Sequence, residues 1–228
     1  MAVRVLLIRH GETAWNREGR YQGKTDLPLS AEGKARLRPA SVSPEEVFVT
    51  TLRRTAETAA ILFPAARQTV WPGLEEMDFG AFEGRSPGEM EGDRLYRHWV
   101  EGGCLSPCPR GESRETFSRR VRDSFAGLLD RSRARNADLL AVVAHGGTQM
   151  AALEAFGKPE RSYYDWITRP GGGFLLDASH WHRDRCLMLL REMEFSAPGA
   201  ENSPLLHGDN AQSNRENRFP PDPGEDAP

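Results

Sequence analysis

The chain is short of cysteine, of long apolar runs and of net charge, and each shortage excludes a class of protein. Three cysteines in 228 residues, Cys104, Cys108 and Cys186, are too few and odd in number for a disulfide framework, so a reducing compartment, the cytoplasm, is expected. The apolar run before Arg9 is too short for a signal-peptide core or a bilayer span, and no membrane partner is expected. A formal net charge of -3 and five scattered tryptophans argue against a nucleic-acid surface. No Gly-x-x-x-x-Gly-Lys loop is present, which removes nucleoside triphosphate binding of that type. No internal repeat is visible either. A local cationic pocket remains compatible with this balance, so an anionic small molecule stays open as a ligand.

What is present is an alternation of buried-type strands and amphipathic helices, the pattern of an α/β fold. Val3 to Ile8 reads as a strand buried on both faces, ending abruptly in Arg9-His10-Gly11. Ser30 caps a short helix through Leu37, Val47 to Val49 is a second strand, and a helix from about Leu52 to Leu62 is stopped by Pro64. Thr69 to Trp71 is a third strand. Residues Gly73 to Arg110, rich in glycine, proline and acid, read as a lid-like excursion, and Ser113 then caps a long helix carrying Phe117, Val121, Phe125, Leu128 and Leu129 at the helical period. Leu139 to Ala144 is another buried strand, followed by His145-Gly146-Gly147 and a helix from about Thr148 to Phe156. Gly173 to Asp177 and Cys186 to Met193 read as the last strands. Beyond Ser196 the composition turns polar and Pro-rich, so the division expected is one domain over 1–195 and a mobile, non-catalytic tail over 196–228.

The unit of strand, imidazole, glycine and helix thus occurs twice. Moving a phosphoryl group without a metal requires a nucleophile, fixed positive charge and an acid for the leaving oxygen. His10 offers a nitrogen that is nucleophilic when neutral, and neighbouring arginines hold it neutral by like charge. Arg9 and either Arg53 or Arg54 offer guanidinium forks, while His145 precedes a helix whose first amides favour an anion. Glu75, Glu76 and Glu83 are candidates for the acid. Taken singly, each residue has a plainer reading: a hydrogen-bonded strand-end histidine, a solvated arginine pair, surface carboxylates. The pairing of the two imidazole tips favours chemistry. His180, His182, Asp184 and Cys186 cluster in sequence, but a turn between strands explains them better than zinc spacing does; Cys104 and Cys108 read as free thiols in a loop.

The stretch Arg9-His10-Gly11-Glu12-Thr13-Ala14-Trp15-Asn16 resembles the signature of the histidine phosphatase superfamily. Supporting blocks follow in that family's order: Tyr21 to Ser30, Leu52 to Ala59, Leu74 to Gly84 and Val142 to Gly147. The resemblance runs over roughly residues 3 to 194. It implies a three-layer α/β/α sandwich with a mostly parallel central sheet, phosphoglycerate-mutase-like. It implies a phosphohistidine on His10, a phosphate pocket of Arg9, Arg54 and His145, Glu76 as proton donor, and Asn16, Gln22 and Gly23 at phosphate or substrate. No metal or organic cofactor is implied. Between Glu76 and His145 the tyrosine, lysine and paired arginines that hold a phosphoglycerate carboxylate in the mutase branch are missing, which points to a phosphatase of small phosphomonoesters. Glu76 to Gly84 with Pro109 to Ser113 is most similar to the alpha-ribazole phosphatases of cobalamin assembly and their broad-specificity relatives. Sugar-phosphate hydrolysis, phosphoglycerate mutation and non-catalytic phospho-ligand binding are the alternatives, and the sequence leaves the oligomeric state unread. Thr50-Thr51 departs from the serine common in relatives, a change expected to leave the pocket intact.

Overall fold

Strand β1 (Arg4–Arg9) lies at the centre of a seven-stranded sheet, as its unbroken buried run requires. In the computed structural model, which describes residues 3–197, the sheet gathers β2 (Glu46–Val49), β3 (Arg67–Val70), β4 (Leu139–Ala144), β5 (Gly157–Lys158), β6 (Gly172–Asp177) and β7 (Leu187–Glu194) in the order β3-β2-β4-β1-β6-β7-β5. Pairing is parallel from β3 to β1 and antiparallel where β6 meets β1 and β7. The mostly parallel sheet is therefore observed. The third strand runs Arg67–Val70, two residues earlier than expected, because Arg67 to Val70 register with Glu46 to Val49 along β2. β5, only two residues long, has no sequence period to announce it.

Alternation along the strands divides the core into two faces. Val5 and Leu7 of β1 join Phe48, Leu140 and Val142 beneath the helices α5 (Arg114–Ala134) and α6 (Gly146–Phe156), whereas Leu6 and Ile8 face Val47, Val49, Ala59 and Leu62 on the side of α3 (Arg53–Leu62). Helices on both faces make the three layers; the other helices among the described residues are α1 (Ala14–Arg17), α2 (Ala31–Arg36), α4 (Arg94–Glu101) and α7 (Trp181–Asp184). The long helix carries the expected stripe: Phe117, Val121, Phe125, Leu128 and Leu129 are all buried, and the Ser113 hydroxyl caps it by accepting from the Thr116 N–H at 3.0 Å.

The excursion over Gly73 to Arg110 is a packed part of this core. Three short turns and a helix at Arg94–Glu101 bury Phe82, Met90, Tyr96 and Trp99 in the same cluster as Phe117 and Phe125. Cys104 and Cys108 are free, and burial pushes both thiols up to about 12. At the other end the chain stays paired past the expected boundary, since Ser196 bridges Leu37 and the Ala197 N–H donates to Arg36 at 2.9 Å. The expected tail otherwise falls outside the described residues. Among the described residues no helix is long and apolar enough to cross a membrane.

Candidate active site

Register explains why two histidines far apart in sequence meet. β1 and β4 run parallel with Arg9 opposite Ala144, so the next residues, His10 and His145, leave the sheet side by side. The His10 N–H still donates to the Ala144 carbonyl at 2.9 Å, and the two rings sit edge to face with centroids 5.3 Å apart. β2 pairs Val49 with Val143, which brings Thr50 to the same edge. This edge is the carboxyl end of three parallel strands, where open α/β sheets collect their ligands.

His10 is 4% exposed. Its Nδ1 lies 2.7 Å from the carbonyl oxygen of Gly11. A carbonyl can only accept, so Nδ1 carries the proton and Nε2 holds the lone pair. Burial lowers the imidazole well below its ordinary range, and the Arg54 and Arg9 cations push in the same direction. His145 is wholly buried and lowered for the same reasons, burial first and then Arg54. Its Nε2 is 3.0 Å from the Thr50 hydroxyl and its Nδ1 is buried without a partner.

The structure separates Arg54 from Arg53. Arg54 is 0% exposed, with Nη1 donating to the Thr25 carbonyl at 2.9 Å and Nη2 to Gly23 at 2.7 Å; Nε remains unpartnered. Burial draws this guanidinium down to about 10. The Arg53 side chain is 60% exposed and pairs with Glu57 on its own helix. Arg9 is held by the Thr168 carbonyl at 2.8 Å, and the Gln149 side chain fixes Thr168 in turn.

The three acidic candidates also separate. Glu75 pairs with Thr51 and lies 3.8 Å from Lys24, while Glu83 accepts from the amides of Lys24 and Thr25 and so pins the loop that holds Arg54. Of the three, Glu76 is the buried one, near the Arg54 and Arg9 cations, and burial raises its carboxyl above the usual range against the opposing pull of the Met77 and Gly147 amides. The Gly147 N–H donates to Glu76 at 2.9 Å, so the first turn of α6 serves this carboxylate. From the sequence those first amides favour an anion; the structure gives the Gly147 amide to the Glu76 carboxyl. A Cβ at Gly147 would overlap the Glu76 carboxylate, which explains the second glycine of the pair.

Two of the expected substrate contacts have local duties. Asn16 Oδ1 accepts from the Thr13 N–H at 3.0 Å and caps the short helix Ala14–Arg17, and Gly23 holds Arg54 through its carbonyl. Gln22 differs. The Thr13 hydroxyl accepts from the Asn16 N–H and donates to Gln22 Oε1 at 2.6 Å, which leaves the buried Gln22 Nε2 with no partner. Gln22 Nε2, Arg54 Nε and His145 Nδ1 are thus buried nitrogens with unmet hydrogen-bonding capacity, a costly state that an anion would relieve.

Arg120 escaped the sequence reading. Its Nη1 donates to the carbonyls of Gly73 and Glu75 at 3.2 and 3.0 Å, its Nη2 to Glu76 at 3.3 Å and to Glu112 at 2.7 Å, and its Nε to Glu112 at 3.0 Å. Three of these bonds hold the segment that carries Glu76, and the other two tie Arg120 to the Glu112 carboxylate. The available signal was its place immediately before the buried Val121 on α5. His180 lies 3.0 Å from Arg183 and 3.8 Å from Asp184, and among the described residues no group of three or more His, Cys, Asp or Glu side chains could hold a metal.

A parallel-sheet edge bearing two buried imidazoles, two arginines and a buried carboxyl defines a class of phosphoryl-handling enzyme. The chain belongs to the histidine phosphatase superfamily (branch 1), whose model matches residues 5–173; its members are enzymes with phosphatase or mutase activity on small phosphorylated substrates. The chain is 33% identical over 137 residues to the probable phosphoglycerate mutase GpmB of Escherichia fergusonii, covering 56% of this chain and 64% of that protein. It is 29% identical over 142 residues to the 2,3-bisphosphoglycerate-dependent phosphoglycerate mutase of Bifidobacterium longum, covering 56% and 57%. The match therefore spans less than two thirds of these relatives' length. Among solved structures, a putative alpha-ribazole-5'-P phosphatase from Escherichia coli superposes with a TM-score of 0.74 at 26% identity, over 88% of this chain and 100% of the other. A phosphoglycerate mutase from Thermus thermophilus gives 0.60 at 30% identity, over 84% and 98%. The fold is phosphoglycerate-mutase-like.

Proposed function

We propose that this chain hydrolyses phosphomonoesters through a phosphohistidine on His10, with alpha-ribazole 5'-phosphate as the leading candidate substrate. The observation that carries the reading is the His10 ring: Nδ1 committed to the Gly11 carbonyl, the ring held neutral, and Arg54 and Arg9 acting on it as they do on the buried Glu76 carboxyl. Nε2 attacks phosphorus as the ester P–O bond breaks, and the departing oxygen takes its proton from Glu76, whose raised affinity for a proton suits an acid. Glu76, now a carboxylate, deprotonates a water that attacks phosphorus, breaks the N–P bond and releases phosphate with His10 restored. Arg9, Arg54, His145 and Gln22 donate to the phosphoryl oxygens throughout. No step asks for a metal, and a cytoplasmic setting accords with free thiols.

The choice of phosphatase over mutase rests on the leaving alcohol. A mutase must retain the dephosphorylated molecule and return the phosphoryl group, and the carboxylate clamp of the mutase branch is missing between Glu76 and His145. Two structural neighbours described as alpha-ribazole phosphatases support this side, and the GpmB likeness supports the other. A phosphate-release screen over alpha-ribazole phosphate, sugar phosphates, phosphoglycerates and nucleotides, with and without chelator, tests the reading. The expected result is chelator-insensitive release with the highest kcat/KM on alpha-ribazole phosphate, together with a rapid-quench label on His10. Isomerised phosphoglycerate dependent on a bisphosphate primer would establish the mutase, and stable binding with no label a non-catalytic module.

A further inference from the structure

A neutral imidazole carries one ring proton, and in a buried pocket for an anion the nitrogen that carries it decides between attraction and repulsion. His145 has one nitrogen against Thr50 Oγ1 at 3.0 Å and the other buried and unpartnered. The tautomer is therefore set by the direction in which Thr50 sends its own hydrogen. That hydrogen has two possible acceptors, His145 Nε2 and Thr55 Oγ1, the latter at 3.2 Å. Thr55 is already engaged: its hydroxyl donates to the Leu52 carbonyl at 2.8 Å and accepts from the Thr50 N–H at 3.1 Å. Both threonines are buried, with Thr50 2% exposed, and the closer acceptor for the Thr50 hydrogen is His145.

We infer that Thr50 is a positioning residue that donates to His145 Nε2 and thereby fixes the proton on Nδ1, making a neutral His145 a hydrogen-bond donor to the phosphoryl group. This rests on the proposed phosphoryl chemistry of the same site. In the opposite arrangement His145 Nε2–H donates to Thr50, the Thr50 hydrogen turns to Thr55, and a lone pair on Nδ1 opposes the anion. The threonine at the tip of β2 thus has a chemical duty that a change confined to shape would not carry. His10 has its proton placed by a backbone carbonyl that no substitution removes, whereas His145 depends on a replaceable hydroxyl.

The test uses the full chain labelled with 15N-histidine and loaded with inorganic phosphate, with the His145 signals identified by their loss in His145→Gln. The expected spectrum shows His145 Nδ1 as the protonated, pyrrole-type nitrogen and Nε2 as the pyridine-type acceptor. A protonated Nε2 in the phosphate-loaded chain overturns the inference. Thr50→Val should lower kcat/KM by about 10- to 100-fold, the effect of losing one buried hydrogen bond, and weaken phosphate, while Thr50→Ser restores most of the loss. Equal activity in the valine and serine variants also overturns it. If Thr50→Val does not fold, the wild-type spectrum and Thr50→Ser still decide. Failure of the chain to bind phosphate overturns this inference and the hydrolase reading together, whereas turnover with Nε2 protonated removes only the role of Thr50.

Discussion

The two strand tips of this sheet carry the same short unit, imidazole then glycine, and the structure makes them unlike. At β1 the ring commits Nδ1 to a backbone carbonyl; at β4 the ring commits Nε2 to a threonine and leaves Nδ1 unpartnered. The following residues diverge as well. Gly11 donates its amide to Thr58, whereas Gly147 donates to Glu76 and clears space for it. Under the proposed chemistry one tip attacks and the other holds, and the difference lies in the partners each ring finds.

The comparison breaks first on the nucleophile. His10→Ala should cost on the order of 10⁶-fold in kcat and abolish the phosphoenzyme label, as loss of a covalent nucleophile does. His145→Gln should cost only about 10²- to 10³-fold, the value of one preorganised donor, with the label retained. Equal losses at the two positions, measured by single-turnover phosphate release, would mean that the tips are not specialised. Glu76→Gln comes next, at about 10²- to 10⁴-fold on alkyl phosphates and far less on aryl phosphates, whose leaving oxides need little protonation. The same substitution should flatten the alkaline fall of kcat/KM, because the proposed acid works only below the raised pKa of Glu76.

Gly147→Ala places a methyl group against the Glu76 carboxylate and should cost about 100-fold on alkyl substrates with little loss of fold by circular dichroism. Arg120→Lys leaves the carbonyls of Gly73, Glu75 and Glu76 short of donors and should cost about tenfold, expressed in kcat more than KM. An effect confined to melting temperature would assign Arg120 to stability alone. The folded histidines separate most finely by pH. Both have native pKa values below the unfolded value of about 6.5, so the unfolded chain binds more protons in acid. Their contribution to stability is complete above that pH and lost as pH falls toward the native values. Denaturant titrations from pH 7.5 to 5 should show stability falling by up to about 1.4 kcal/mol per pH unit for each histidine, and each His→Gln variant should remove its own share.

Much of this was readable in one dimension because its signals are local. An unbroken apolar run ending at His10 or His145 has one physical reading, and the stripe from Phe117 to Leu129 has another. Arg54 was distinguished from Arg53 by resemblance, and the structure gives the physical counterpart in burial against the carbonyls of Gly23 and Thr25. Arg120, Thr50 and the donation from Gly147 to Glu76 were hidden. Each is a hydrogen bond between segments distant in sequence, and a solvent-type arginine on a helix looks the same whether or not a loop folds over it. The excursion over residues 73 to 110 departs from its expectation for a similar reason: its Gly-rich composition suggests a lid, while Phe82, Tyr96 and Trp99 anchor it in the core.

The parallel pairing of β1 with β4 joins Arg4 to Leu139 across most of the domain, and it is this pairing that sets the two histidines side by side. Contacts of such long range form late, because loop closure must be met before they stabilise anything. The proposed phosphate release is therefore a clock for the completed sheet: on refolding, helical signal should return first, and turnover should begin only when β1 and β4 have found each other.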